Sequence, residues 1–226
     1  MTTTPLYVFL SALGYPLNLI VIILLWLAAR RAGPHRRFVT LLALAWTLAL
    51  GGNIAWVIHD LVVQAPLPAL SWVDGFYLSR YAVLLLAFLR FAPSQTTPLT
   101  RRVAMTALIT LFAAALVTLE LYQSRATVPP ELAWPLILGY ALYPVLDITL
   151  LYAAWSLDAV ETEWRQGTSL LLLGMACYTA ANWINLAIHL LLADAVPSLP
   201  TFFWLASDLT AGGVALSILR RKANGL

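Results

Sequence analysis

Long apolar runs, broken at short intervals by proline, glycine and charge, organise this chain from end to end. Hydropathy and breaker residues divide it into seven segments at about 6–29, 38–63, 73–91, 103–121, 132–155, 168–193 and 201–219. A helix of about 20 apolar residues crosses a hydrocarbon layer of about 30 Å, so each run is long enough to span one. In lipid a helix satisfies all its backbone groups internally. The pattern therefore predicts an all-α integral membrane protein: one domain over residues 1–226, folded as a seven-transmembrane-helix bundle. The connections are short, among them Arg30–Arg37 and the uncharged stretch 64–72 with Pro66 and Pro68. No second domain, low-complexity tract or internal repeat interrupts the layout.

Composition sharpens the class. Of 226 residues, 62% are hydrophobic and 10% are charged, against about 45–50% and about 25% in soluble domains. Little sequence is left for a soluble catalytic domain. The net charge of +3 and pI of 9.2 do not point to nucleic acid, because the basic residues form short clusters beside the apolar runs. Arg30, Arg31, Arg36, Arg37, Arg90, Arg101, Arg102, Arg165, Arg220, Arg221 and Lys222 fall on one side of the predicted bundle, 11 of the 13 Lys and Arg residues. Arg125 falls on the other, and Arg80 lies inside a segment. Since the cytoplasmic side carries the basic excess, the N-terminus is expected outside and the C-terminus inside. The localisation this implies is the inner (cytoplasmic) membrane of a bacterium, crossed several times. Trp26, Trp155 and Trp164 suit the inner interface and Trp72 and Trp134 the outer one, while Trp46, Trp56 and Trp183 are expected to pack within the bundle.

Two smaller features set context. Met1-Thr2-Thr3-Thr4-Pro5 has no basic region ahead of the first apolar run, so that run is expected to be retained rather than removed as a signal peptide. Cys177 is the single cysteine and lies in an apolar segment, which excludes an intramolecular disulfide and favours a small packing residue.

Polar groups inside a bilayer are costly and face a bundle interior or a water-filled cavity. Three stripes stand out, each on one helix face. The second segment carries Asn53, Trp56 and Asp60, with His59 adjacent. The third carries Asp74, Tyr77 and Tyr81, with Arg80 adjacent. The sixth carries Tyr178, Asn182, Asn185 and His189. With the expected orientation, His59, Asp60, Asp74, Tyr77, Arg80, Glu120 and His189 lie in the outer half, Asp208 at middle depth and Asp147 somewhat deeper. Together they predict a polar pocket open to the outside, floored by Asn53, Asn182 and Asp208.

Each residue also has a plainer role. Ser71-Trp72-Val73-Asp74 fits a capping box, in which Asp74 stabilises the start of the third helix. Arg80 either snorkels outward or pairs with Asp74 or Asp60. Asn53, Asn182 and Asn185 suit interhelical hydrogen bonds. Glu120 and His59 suit a wetted interface, and Pro16, Pro135 and Pro144 suit kinks repacked by neighbouring helices.

The stretch Gly52-Asn53-Ile54-Ala55-Trp56 through Asp60, followed by Asp74-Gly75-Phe76-Tyr77-Leu78 and Tyr81, resembles the multi-helix membrane sensory regions that precede GGDEF, EAL or histidine-kinase modules in bacterial signalling proteins. The likeness covers about 30 residues of the second and third segments. It implies a receptor-like domain that senses something in the membrane or periplasm and has its output inside. The positions it carries over are Gly52, Asn53, Trp56, Asp60, Asp74, Tyr77 and Tyr81. Seven residues follow Leu219, so the expectation is an isolated sensory unit acting through a cytoplasmic partner, or a reuse of the domain.

Other classes compete. A covalently bound retinal needs a lysine in a span, and the one lysine, Lys222, lies in the tail. No other cofactor is expected. An intramembrane metal-dependent lipid hydrolase would draw its zinc ligands from His59, His189, Asp208 and Asp60. A proton-coupled transporter would use Asp147 and Asp208 as relays. The reading the sequence favours is a sensor for a small or lipid-like ligand, bound by Asn53, Trp56, Asp60, Asp74, Tyr77, Arg80, Tyr81, Asn182, Asn185, His189 and Asp208.

Overall fold

The computed structural model describes residues 5–63, 71–91, 98–124, 130–156, 165–190 and 198–223, with side chains except at 7, 91, 120–124, 130–141, 165, 186–190 and 221–223. Among the described residues the chain is all-helical. Its helices are α1 (Pro5–Arg31), α2 (Arg36–Val62), α3 (Asp74–Leu86), α4 (Leu99–Ser124), α5 (Pro130–Trp155), α6 (Arg165–Leu190) and α7 (Ser198–Ala223). A 3₁₀ turn, Gly33–His35, joins α1 to α2, and α3 continues into a π-helical segment, Ala87–Phe91. These helices fall within a few residues of the apolar runs. Four stretches, Val8–Arg31, Gly33–Val62, Leu99–Leu119 and Ser198–Arg220, are long and apolar enough to cross a membrane.

The tight α1–α2 reversal depends on Gly33, whose φ of +56° lies in the left-handed region that costs a residue without Cβ nothing. Pro34 follows it and blocks continuation of α1. By contrast α1 runs through Pro16, and α5 through Pro135 and Pro144, as single helices.

Packing proceeds around a ring: α1 on α2, α2 on α3, α3 on α5, α5 on α6, α6 on α7, and α7 back on α1. Helix α4 stands outside that ring, against α5 and the π-helical segment. Glycines allow the closest approaches. A Cβ on Gly174 of α6 would collide with the Thr210 side chain of α7, and one on Gly52 of α2 would come within 2.8 Å of the Tyr77 ring of α3. Small residues at the contact are what helix association in lipid favours, because dispersion contacts replace the missing hydrophobic drive.

Polarity is inverted relative to a soluble bundle. Leu19, Ile20 and Ile23 of α1, Leu108, Leu111 and Phe112 of α4, and Phe202 and Leu209 of α7 are exposed, while Asn18, Arg80, Arg102, Asp147 and Ser207 are buried. Exposed apolar belts on this scale mark surfaces that water does not cover. Between belt and polar interior lies a core of Leu25, Phe38, Leu42, Trp46, Leu84, Phe88 and Val214.

Candidate functional site

A layer of polar side chains crosses the bundle at about half-height. Asn18 is equidistant from the two ends of α1, and Trp46, Arg80, Tyr81, Asp147, Tyr178, Asn182 and Asp208 sit near the middle of their own helices. Every helix of the ring contributes.

Arg80 is the centre of the layer. It is 3% exposed, and its guanidinium lies 3.9 Å from the centroid of the Tyr178 ring and 5.2 Å from that of Trp46. Such stacking, once desolvated, contributes about 2 kcal/mol. Its Nε has no hydrogen-bond partner. The carboxylates whose field it feels most are Asp208 and Asp147.

Each carboxylate is tied to different helices. On one side the Tyr81 hydroxyl donates to Asp147 Oδ1 at 2.5 Å, and Asn182 Nδ2 donates to Asp147 Oδ2 at 2.9 Å and to the Tyr81 oxygen at 3.2 Å. Trp204 Nε1 then donates to Asn182 Oδ1 at 3.0 Å. On the other side Asp208 accepts from Trp46 Nε1 at 2.8 Å and from Asn18 Nδ2 at 3.1 Å. Arg80, against Trp46 and Tyr178, joins the two halves. Asp147 is 1% exposed, whereas Tyr178, Asn182, Trp204 and Asp208 are half-buried.

A second tier lies toward the α2–α3 end. Tyr77 donates to Asn53 Oδ1 at 2.8 Å, its ring resting in the gap left by Gly52. Asp74 receives the Ser71 backbone N–H at 2.6 Å and the Ser71 hydroxyl at 2.9 Å, and its second oxygen accepts from Tyr143 of α5. In the first turn of α3 it thus holds the preceding Ser71 and ties α3 to α5, while Val73 at the N-cap makes no side-chain capping bond.

At the opposite end Arg102, 5% exposed, donates to the Leu89 carbonyl at 3.0 Å and to the Phe88 carbonyl. A π-helical turn leaves carbonyls without their usual partners, and α4 supplies the missing donors.

Of the residues expected at the site, Arg80, Tyr81, Asn182 and Asp208 meet in the layer, and Asn53, Asp74 and Tyr77 meet in the tier beside it. Trp56 and Asp60 do not join them: both are exposed on α2. Arg80 does not turn toward Asp74 or Asp60, as its position on α3 suggested. Its guanidinium rests on Trp46 and Tyr178 instead, and the acids whose charge acts on it are Asp208 of α7 and Asp147 of α5. Asn185 is half-buried on α6. The side chains of His189 and Glu120 lie outside the described residues.

Distance keeps Asp208 apart from the zinc candidates of α2, and the His189 side chain lies outside the described residues. His59 lies thirteen residues beyond Trp46 on α2, about 20 Å at 1.5 Å per residue, and Trp46 is bonded to Asp208. Zinc ligands stand about 2 Å from the metal, so His59 and Asp208 cannot share one ion. Asp60, one residue further on, is excluded likewise. Among the described residues no three His, Cys, Asp or Glu side chains are grouped to hold a metal.

Sequence reasoning passed over Asn18, Trp46, Tyr143 and Trp204, and kept Asp147 and Tyr178 out of the site. Asn18 carried a signal: it is a lone amide in the apolar run Leu17 to Leu25.

Comparison with protein-family models, with characterised proteins and with solved structures finds no match to this chain.

Proposed function

We propose that this chain is a seven-span sensory protein of the cytoplasmic membrane, N-terminus outside and C-terminus inside, that binds a small or lipid-like ligand in its polar layer and signals to a cytoplasmic partner. The carrying observation is Arg80: a buried guanidinium stacked on two aromatic faces, with a free Nε donor, in the field of two carboxylates tied to different helices. A ligand bearing an acceptor, such as a carbonyl, hydroxyl or acidic head group, would gain a charge-assisted hydrogen bond there.

The consequence would reach every helix of the ring. Binding shifts a packing equilibrium by its differential affinity for the two arrangements, and a ligand that draws Arg80 off Trp46 and Tyr178 loosens the α1–α2–α7 half from the α3–α5–α6 half. Half-buried Tyr178, Asn182 and Asp208 support access to the layer. The basic ends of α1, α2, α4 and α7 support the orientation, and the matching segment lengths support seven spans.

The test is identification by mass spectrometry of molecules co-purifying with the wild type and with Arg80→Gln. A polar-headed species retained by the wild type and lost from folded Arg80→Gln is the expected result. Identical co-purifying molecules in both would overturn the reading.

A further inference from the structure

The polar layer holds one guanidinium, Arg80, against two carboxylates, Asp147 and Asp208. With all three ionised its net charge is −1, in an interior where an uncompensated charge is costly. The two acids are not equivalent. Asp147 is 1% exposed and both its oxygens accept from Tyr81 and Asn182. Asp208 is half-buried, so a cation that reaches the interior can reach it.

Beside Asp208 is an unmet acceptor. Asn18 is 4% exposed; its Nδ2 donates to Asp208 Oδ2 at 3.1 Å, while its Oδ1 has no hydrogen-bond partner. Amide oxygen and nitrogen share one carbon, so the orphan oxygen lies next to the carboxylate. The opposite amide assignment would turn Oδ1 toward the carboxylate and lose the donor, so the orphan acceptor belongs to the site. A buried acceptor left unpaired costs about 1–3 kcal/mol, and a carboxylate and an amide oxygen side by side match a small cation.

We infer that Asp208 and the Asn18 carbonyl oxygen form a binding site for a monovalent cation, either a proton or Na⁺. A proton on Asp208 Oδ1, the oxygen that also accepts from Trp46, would donate to Asn18 Oδ1 while Asn18 Nδ2 donates to Oδ2. Na⁺ would take both oxygens as ligands, as unwound or polar helix positions near a membrane midplane do for coupling ions. In either form the cation cancels the layer's net charge. The groups facing Asp208 are Asn18 from α1, Trp46 from α2 and Arg80 from α3, with Tyr178 of α6 on the far side of Arg80. Arg80 is the sole cation among them, and its charge acts on Asp147 as well. The site stands whether or not the layer also takes an organic ligand, since both its oxygens come from α1 and α7.

The test uses the full chain in nanodiscs, with two readouts. One is the infrared carbonyl band of a protonated carboxylic acid, followed as pH falls; the other is the unfolding temperature in NaCl against equimolar N-methylglucamine chloride. A proton site gives a band that persists in Asp147→Asn and disappears in Asp208→Asn. A sodium site gives stabilisation by NaCl that Asp208→Asn abolishes. If Asp208→Asn does not fold, Asn18→Leu decides: it removes the orphan oxygen, keeps the carboxylate and should weaken the response about tenfold or more. Silence in both readouts, or a response that survives these substitutions, overturns the inference and assigns the orphan oxygen to water.

Discussion

The Tyr81 hydroxyl donates to Asp147 Oδ1 at 2.5 Å, joining α3 to α5 between two side chains that are each no more than 2% exposed. Removing that hydroxyl leaves a buried carboxylate oxygen and the Asn182 amide short of a partner. Orphaned groups of this kind cost about 1–3 kcal/mol, well above the roughly 0.6 kcal/mol of an average interhelical bond in lipid. Tyr81→Phe is therefore expected to lower the unfolding temperature in detergent by several degrees. Asp147→Asn keeps an oxygen for Tyr81 but sets a new N–H against the Asn182 donor, so it should cost more. Equal losses for the two would show that donor–acceptor matching does not set the stability of this half of the layer.

Gly52 and Gly75 give a matched pair. A Cβ on Gly52 would lie 2.8 Å from the Tyr77 ring, whereas one on Gly75 meets nothing within 4 Å. Gly52→Ala should cost about 1–3 kcal/mol through overpacking and disturb the Tyr77–Asn53 bond. Gly75→Ala should be neutral or slightly stabilising, by up to about 1 kcal/mol from backbone entropy. Thermal unfolding of both variants checks the contrast, which disappears if α2 and α3 can separate without loss.

Arg102 acts on backbone rather than on another side chain. Arg102→Ala frees the Phe88 and Leu89 carbonyls, so amide hydrogen exchange should rise across the π-helical segment and the last turn of α3 while α1 and α7 keep their protection. Arg102→Lys should rescue it only in part, because an ammonium lacks the planar fork that reaches two carbonyls together. Uniformly raised exchange over the whole bundle would instead mean a global loss of stability.

Separation of His59 from Asp208 makes a metal prediction. Chelator is expected to leave the unfolding temperature unchanged, and His59→Ala should not alter the metal content of purified protein. Stoichiometric zinc lost on both His59→Ala and Asp208→Asn, measured by atomic emission, would contradict the helix register that places His59 about 20 Å from Trp46, the residue bonded to Asp208.

Much of the fold is legible in the chain. The seven runs read from hydropathy fall within a few residues of α1 to α7, and four stretches among the described residues are long and apolar enough to cross a membrane. Periodicity also placed Asp74, Tyr77 and Tyr81 on one face of α3, where they make interhelical bonds. On α2 the same logic grouped Asn53 with Trp56 and Asp60, and only Asn53 faces α3. Near the end of a helix a polar residue can satisfy itself at the interface, so its stripe need not point inward.

The polar motif of residues 52–81 is likewise a local pattern. It contains Tyr77 and Tyr81 but not Trp46, which lies earlier on α2, nor Asn18 of α1 and Asp147 of α5.

By itself the sequence determined where the helices run and which few polar groups lie within apolar surroundings, because hydropathy and the 3.6-residue period are local properties of a chain. Only the tertiary structure decided that Arg80 rests on Trp46 and Tyr178 in the field of Asp147 and Asp208, instead of reaching Asp60 or Asp74. That choice depends on how each helix is rotated and which helix stands beside it. Those are set by the packing of small residues such as Gly52 and Gly174 at the contacts, and no period within a single helix encodes them.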